Sequence, residues 1–363
     1  MMDKLSVARE EINRIDREMA KLFCERMEAV KSVAEYKKER GLPILDSTRE
    51  EAVIKNNSAF VEDDLLRSYY INFLRNNMEL SRNYQSRLNS GIKVAFSGVA
   101  GAFAHLSAKK IFESCQAMPY DSFKAAYDAA VKGECDCVLL PIENSYNGDV
   151  GQVMDLAFFG PLYINGVYDI GVTQQLLAKK GTKLNDIKEV VSHPQAIGQC
   201  ADFIKKHSLK ATECSNTAVA AQLVSQSDRN DLAAIASEEA ARIYSLEVIE
   251  NSINDSNNNT TRFAVFSPVK KTDNKNDKQF IMLFTVKNES GCLGKALSVI
   301  GDNGFNLRAL KSRPTKELIW DYYFYAEGEG NINTPAGEKL LKELEEVCSH
   351  VKIVGSFEKE ISL

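Results

Sequence analysis

Arg26 and Lys37 interrupt an apolar helical stripe. Arg26 follows Phe23 by three residues and precedes Val30 by four, while Lys37 follows Val33 by four and Ala34 by three. Eleven residues make about three helical turns, so both point the same way with about 16 Å between their Cα atoms. Two long cations reaching toward one point between them could clamp a small dianion. Arg9 breaks the same stripe between Leu5 and Ile12, but about 25 Å of helix separates it from Arg26; an antiparallel partner helix could deliver it in trans. In a later stripe of Leu74, Met78, Ser81, Gln85 and Leu88, Ser81 and Gln85 intrude at i, i+4, and Asp46, Arg49 and Glu50 gather at the start of the helix between. Any one of these could be a helix cap or a snorkelling side chain. Together they are harder to dismiss, because unpaired polar groups on buried faces are costly unless a ligand or partner satisfies them.

Four further motifs carry polar groups at strand ends. Gly98-Val99-Ala100-Gly101 follows a strand and precedes a helix, where backbone N–H groups could meet an anion, or a plain βα turn could sit. Pro141-Ile142-Glu143-Asn144-Ser145 ends a strand, a usual place for ligand-facing groups in open α/β sheets. Ser192-His193-Pro194-Gln195 opens a helix with Pro near its first turn, and Gln199 lies about two turns after Ser192. Capping explains Ser192 equally well, and His193 reads as structural because no nucleophile or acidic orienter accompanies it. Asn259-Thr260-Thr261-Arg262-Phe263 leads into an apolar strand. Cys135 and Cys137 read as packing residues, and no metal site is expected.

The elements that must position these groups divide the chain into three. Residues 5–88 read as three helices, with a break at Gly41-Leu42-Pro43 and the later two at 48–58 and 63–88. The first helix is too long to bury its stripe against two shorter ones, so a dimer is expected. From residue 92, strands at 92–96, 137–140, 189–191, 233–236 and 263–266 alternate with helices, the signature of a mostly parallel α/β domain. Residues 268–278 read as a polar linker, following a short Asn-rich loop at 254–259. The last segment reads strand 279–286, helix 293–302, strands 305–312 and 318–326, helix 335–347 and strand 350–357, a βαββαβ order. The expected domains are 1–90, 91–268 and 279–363. Over 363 residues, 44% are hydrophobic and 26% charged, with a net charge of −5. That balance argues against a nucleic-acid partner. No apolar run approaches the roughly 20 residues that span a bilayer, and the start lacks a secretory h-region. Eight scattered cysteines suggest reduced thiols and a cytoplasmic setting.

Arg9, Arg26, Lys37, Asp46, Arg49, Glu50, Ser81 and Gln85 together resemble the all-helical chorismate mutase family, in which two entwined chains build two sites. The resemblance implies that Lys37 and Gln85 donate to the breaking ether oxygen. It implies too that Glu50 and Asp46 position the substrate hydroxyl and that Arg26, Arg49 and Ser81 hold the carboxylates, with Arg9 coming from the neighbouring chain. Conversion of chorismate to prephenate is pericyclic, so positioning and positive charge suffice. The GxxGxF, PIENS, SHPQ-x3-QC and TRF motifs, in this order, closely resemble prephenate dehydratase, which implies a two-lobed fold of the periplasmic-binding-protein type with the site in the cleft. That resemblance makes Thr261 the proton donor to the departing hydroxyl and gives substrate contacts to Asn144, Ser145, Ser192, Gln199, Arg262 and Phe263. Ala102 and Ala104 replace residues that are commonly hydroxylated in relatives. Residues 279–357 resemble the ferredoxin-like ACT regulatory domain. The implied contacts to L-phenylalanine are Gly291, Cys292, Leu293, Asn306, Leu307, Ser312 and Arg313, although Lys311 stands where Glu is expected and Gly291-Cys292-Leu293-Gly294 departs from the usual turn. The leading expectation is a cofactor-free bifunctional enzyme of phenylalanine biosynthesis, acting on chorismate and prephenate as a homodimer or homotetramer. The other readings are a non-catalytic aromatic-metabolite sensor and a chain retaining one activity.

Overall fold

The computed structural model describes residues 3–256, 258–271, 275–315 and 321–363. They fall into two compact units, one up to Ile92 and one from Lys93 onward.

The first unit is helical. α1 (Lys4–Glu39) runs 36 residues, about 54 Å, from an Asp3 cap whose carboxylate accepts the Leu5 amide. Gly41 takes a left-handed φ of 63° and the Leu42 amide closes on the Lys37 carbonyl, ending the helix before Pro43. α2 (Ser47–Ser58) is capped by Asp46, which accepts the Arg49 amide at 2.9 Å, and α3 (Asp64–Ser90) by Asp63. Both α1 and α2 pack on α3. Among the described residues of this unit only Ala34, Leu74, Met78, Ser81 and Gln85 are buried, whereas Leu5, Ile12, Ile15, Met19, Leu22, Phe23 and Val33 of α1 stay exposed.

The second unit carries two sheets. Its strands are β1 (Ile92–Ser97), β2 (Cys115–Tyr120), β3 (Cys137–Asn144), β4 (Gly148–Asp149), β5 (Tyr163–Gly171), β6 (Gln175–Ala178), β7 (Glu189–Ser192), β8 (Lys210–Glu213), β9 (Leu232–Ala236), β10 (Glu247–Glu250), β11 (Thr260–Ser267), β12 (Gln279–Thr285), β13 (Asn306–Pro314), β14 (Tyr322–Glu329), β15 (His350–Phe357) and β16 (Ile361–Ser362). Among the described residues the larger sheet orders β13-β14-β12-β15-β5-β11-β3-β1-β2, and the smaller orders β10-β6-β9-β7-β8. β1 and β3 are parallel, as are β7 with β8 and β9. The sheets are nevertheless mixed rather than mostly parallel. β11 returns late in the chain and inserts antiparallel to both β3 and β5, while β6 runs antiparallel to β9 and β10. β2, β5, β6, β8 and β10 were not foreseen: β8 and β10 are charged segments of four residues, and β5 carries Asn165 and Gly166.

The C-terminal segment follows the expected order: β12, helix Cys292–Asp302, β13, β14, helix Pro335–Val347 and β15. Residues 318–320 of the expected third strand, 272–274 of the expected linker and 257 of the Asn-rich loop lie outside the described residues. The segment is not merely tethered. β15 joins β5 through Gly355 and Ile164, where a Cβ would meet the Ile164 carbonyl oxygen at 2.0 Å, so only glycine permits the approach. One apolar core combines Tyr127, Val138 and Phe266 with Leu283, Tyr323, Val354 and Phe357.

Charge fastens the same seam. Arg262 on β11 meets Glu143 at 2.9 Å, Glu327 at 3.2 Å and Asp169 at 3.6 Å, and also bonds Glu360. Burial alone would raise the Glu143 carboxyl, but the hydrogen bonds from Arg262 and Lys311 hold it below the ordinary range. A carboxyl depressed by folding contributes stability that is present above its unfolded pKa, about 4.3, and lost as pH falls through the folded value. Arg262→Met is therefore expected to destabilise this unit near neutral pH by about 3–5 kcal/mol. The gap from wild type should narrow below about pH 4, as Glu143 takes up its proton. Thermal unfolding of both proteins at neutral and acid pH checks this; a gap independent of pH would remove the charge argument.

Candidate active sites

In the helical unit, α1 and α3 bring Arg26 to Ser81. The guanidinium Nη1 donates to Ser81 Oγ at 2.5 Å, and Ser81 Oγ donates to the Asn77 carbonyl at 2.6 Å. Gln85 lies one turn further on and is buried, and its Oε1 has no hydrogen-bond partner among the described residues. Lys37 is half-buried and donates to the Ile44 carbonyl at 2.6 Å, leaving two of its three donors. Glu50 is held by Arg82, a residue not foreseen as part of this group. Its signal was its place beside Ser81 on α3, one position off the apolar stripe. Asp46 serves as the α2 cap, Arg49 is exposed, and Arg9 is exposed near the opposite end of α1 from Lys37. Arg26, Ser81 and Gln85 thus share the α1–α3 packing, and within this chain Arg9 does not join them.

In the second unit a cleft of about 790 Å³ is lined by strands of the larger sheet on one side and by joins and helix starts flanking the smaller sheet on the other. Asn144 from β3 and Thr261 from β11 are register partners on its wall. Asn144 Nδ2 donates to Thr261 Oγ1 at 2.9 Å and to Asn259 Oδ1 at 3.0 Å, while its Oδ1 accepts the amides of Tyr146 and Asn147, each at 3.0 Å. With its oxygen engaged as acceptor, Thr261 keeps its own O–H to donate elsewhere. A register shift on β3 between the partners of Arg262 and Phe263 lets Asn144 and Pro141 both reach the cleft. Phe263 and Gln199 also line it, and Gln199 Oε1 accepts from Gln174 Nε2 at 3.3 Å. Gln174 is 2% exposed and its Oε1 lacks a partner among the described residues. Gln174, Asn147, Asp149 and Asn216 line the cleft without having been foreseen. Polar residues in the short joins after strands, such as Thr173-Gln174 between β5 and β6, were the available signal.

Other expected contacts lie elsewhere. Ser192 is fully buried and donates to the Ile235 carbonyl at 2.6 Å, tying β7 to β9 outside the cleft lining. Ser145 Oγ bonds the Asn258 carbonyl and the Thr260 amide, closing the loop onto β11. Arg262 faces its carboxylates instead of the cleft, because neighbours on a strand point to opposite faces. The glycine-turn amides are already used: Gly98 N donates to Tyr120 O at 2.9 Å and Gly101 N to His105 Nδ1 at 3.1 Å. His193 caps its helix by accepting the Gln195 amide, and burial lowers its pKa, keeping it neutral near pH 7.

The expected effector residues divide in two. Gly291, with a left-handed φ of 83°, caps the helix that begins Cys292-Leu293, and Asn306 and Leu307 open β13. Ser312 and Arg313 lie about 20 Å further along that strand. Arg313 meets Asp155 at 2.9 and 3.1 Å and Tyr323 at 3.1 Å, and it fills the space beside Gly151, where a Cβ would lie 2.0 Å from its Nη1. Among the described residues no helix is long and apolar enough to cross a membrane, and no group of three His, Cys, Asp or Glu could hold a metal ion.

Comparison with known proteins agrees with this division. Residues 8–86 match the chorismate mutase type II family model, and residues 94–271 match that of prephenate dehydratase. The bifunctional chorismate mutase/prephenate dehydratase of Aquifex aeolicus is 31% identical over 99% of this chain and 99% of its own. Among solved structures, GqqA, described as a novel type of quorum quenching acylase, is 28% identical with a TM-score of 0.68 over 73% of this chain and 97% of its own. The prephenate dehydratase of Arthrobacter aurescens in complex with L-Phe is 25% identical, also with a TM-score of 0.68, over 74% of this chain and 90% of its own. With both family models in sequence order and a full-length relative above 30% identity, the chain belongs to the bifunctional chorismate mutase/prephenate dehydratase family.

Proposed function

We propose that the helical unit rearranges chorismate to prephenate and that the cleft of the second unit converts prephenate to phenylpyruvate. The Asn144–Thr261 hydrogen bond carries the second assignment, because its direction leaves the threonine proton to the substrate. As the ring carboxylate leaves as CO2, its electron pair enters the ring and expels the hydroxyl, which departs as water with one added proton. Aromatisation supplies the driving force, so donation to the leaving oxygen is the help the protein must give. An ordinary threonine is a weak acid, so Thr261 hydrogen-bonds or relays that proton. Asn144 fixes Thr261, Gln199 and Phe263 contact the substrate, and Ser145, Ser192 and Arg262 act by holding the strands and loops that bear them.

In the mutase site Arg26, Ser81 and Arg49 bind carboxylates, Glu50 and Asp46 position the hydroxyl, and Lys37 and Gln85 stabilise the negative charge growing on the ether oxygen. The buried Gln85 oxygen, unpartnered among the described residues, supports a site completed by a group outside the chain. The exposed apolar face of α1 supports an entwined dimer in which the neighbouring chain brings Arg9.

The domains are 1–90, 91–268 and 279–363, the last a ferredoxin-like ACT domain, as its βαββαβ order and β13-β14-β12-β15 arrangement suggest. L-Phenylalanine binds there, near Gly291, Cys292, Leu293, Asn306 and Leu307, and regulates the enzyme from paired modules. The protein works in the cytoplasm as a homodimer or homotetramer.

Lys37→Ala is expected to lower mutase turnover about 10²–10³-fold while sparing dehydration of supplied prephenate. Thr261→Ala should do the reverse, slowing dehydration by about 10²-fold. Phenylpyruvate absorbance from each substrate reads both, and loss of both activities in either variant would refute separate sites. Mixing inactive Arg9→Ala and Lys37→Ala chains should restore about a quarter of mutase activity after subunit exchange, because each mixed dimer contains one intact site; no recovery would place Arg9 outside the partner's site. Titration calorimetry should detect L-phenylalanine binding to the whole protein, with Leu293→Ala weakening it; absence of heat would leave the module structural.

A further inference from the structure

Lys311 belongs to β13, yet its ammonium contacts the dehydratase lobe. It lies 2.5 Å from Asp149 Oδ1 and 3.2 Å from Glu143 Oε1. Asp149 lines the cleft, and Glu143 directly precedes Asn144, whose amide fixes Thr261. The lysine is held firmly: its side chain is 20% exposed, and its Nζ lies 5.9 Å from the ring centre of Tyr325, its register partner on β14. Glu143 already has Arg262 as a second cation. Lys311 is the cation that the structure sets against Asp149 among the described residues.

That placement has an electrostatic consequence. The substrate proposed for this cleft carries two carboxylates, and an uncompensated Asp149 in the cleft wall would repel them. The repulsion acts on ground-state binding and on the transition state alike, so its signature is a higher KM with little change in kcat.

We infer that Lys311 is a positioning residue of the dehydratase cleft, reaching in from the C-terminal module to neutralise Asp149 so that a dicarboxylate can bind. The inference rests on the dehydratase reading of the cleft.

The test is steady-state dehydration of prephenate by the full-length protein. Lys311→Met should raise KM about tenfold, equivalent to about 1.4 kcal/mol, with kcat within about twofold of wild type. Lys311→Arg should keep KM near wild type. Adding Asp149→Asn to Lys311→Met should bring KM back down, since no orphan carboxylate remains, and added salt should shrink the single variant's defect. A purely structural role predicts a lower melting temperature, with no recovery in the double variant. Unchanged KM in Lys311→Met, or a double variant no better than the single, overturns the inference. If wild-type protein does not dehydrate prephenate, the dehydratase reading fails first and the inference falls with it.

Discussion

Arg262, with carboxylates from β3, β5, β14 and the C-terminal Glu360 around it, sets the constraint on which the second unit depends. Buried ion clusters are weak sources of net stability, because desolvation offsets much of the attraction. Their stronger effect here is on register. β11 crosses in from the far lobe and could in principle pair with β3 and β5 in more than one alignment. A slip of one residue would turn Arg262 into the cleft and Thr261 among the carboxylates. That arrangement would leave Asp169 and Glu327 without an ion-pair partner among the described residues, so the aligned state is preferred. Alignment in turn sets Thr261 opposite Asn144, and the direction of their hydrogen bond follows from the loop amides that already occupy the Asn144 oxygen. The charged face of β11 thus decides what the reactive face can do.

The helical unit depends on a different constraint. Two of its five buried described residues, Ser81 and Gln85, are polar, and the surface of α1 keeps Leu22 63% and Phe23 43% exposed. Arg26 satisfies Ser81, whereas the Gln85 oxygen has no partner among the described residues. A helical layer with so much apolar surface outside and two polar side chains among its few buried residues lacks an ordinary core of its own. The proposed pairing with a second copy would cover that apolar face, and a donor group on the proposed substrate would answer the Gln85 oxygen.

These two sites were legible to different degrees. Arg26, Lys37, Ser81 and Gln85 stand out from helical periodicity alone, since a polar side chain in an apolar stripe is visible without knowing the fold. The Arg26–Ser81 contact across two helices then follows from packing the stripes. Asn144 and Thr261 are 117 residues apart, and spacing says nothing about their pairing; only the order of short motifs suggested that they belong together. Ser192 lies at a strand end, where sequence alone does not separate a capping or ligand role from the bond it makes to the Ile235 carbonyl. The linker at 268–278 looked polar enough to separate two domains. What joins them is the close approach at Gly355, the shared aromatic core and the reach of Arg313 into the space left by Gly151. Each depends on residues far apart in sequence, and none leaves a local pattern.

Lys311 shows how such long-range contacts change the meaning of a residue. Taken with its neighbours along the chain, it is a lysine where an acid was expected beside a regulatory turn. In the folded unit it answers Asp149 and Glu143, residues 162 and 168 positions away. β13 therefore carries two kinds of group: Asn306 and Leu307 at the end where an effector is proposed to bind, and Lys311 and Arg313 at the end that grips the lobe. A ligand alters a distant site only if it interacts differently with two arrangements of an element that both sites contact. β13 is an element that both regions contact. A displacement along it would act on the 2.5 Å Lys311–Asp149 ion pair at the cleft wall.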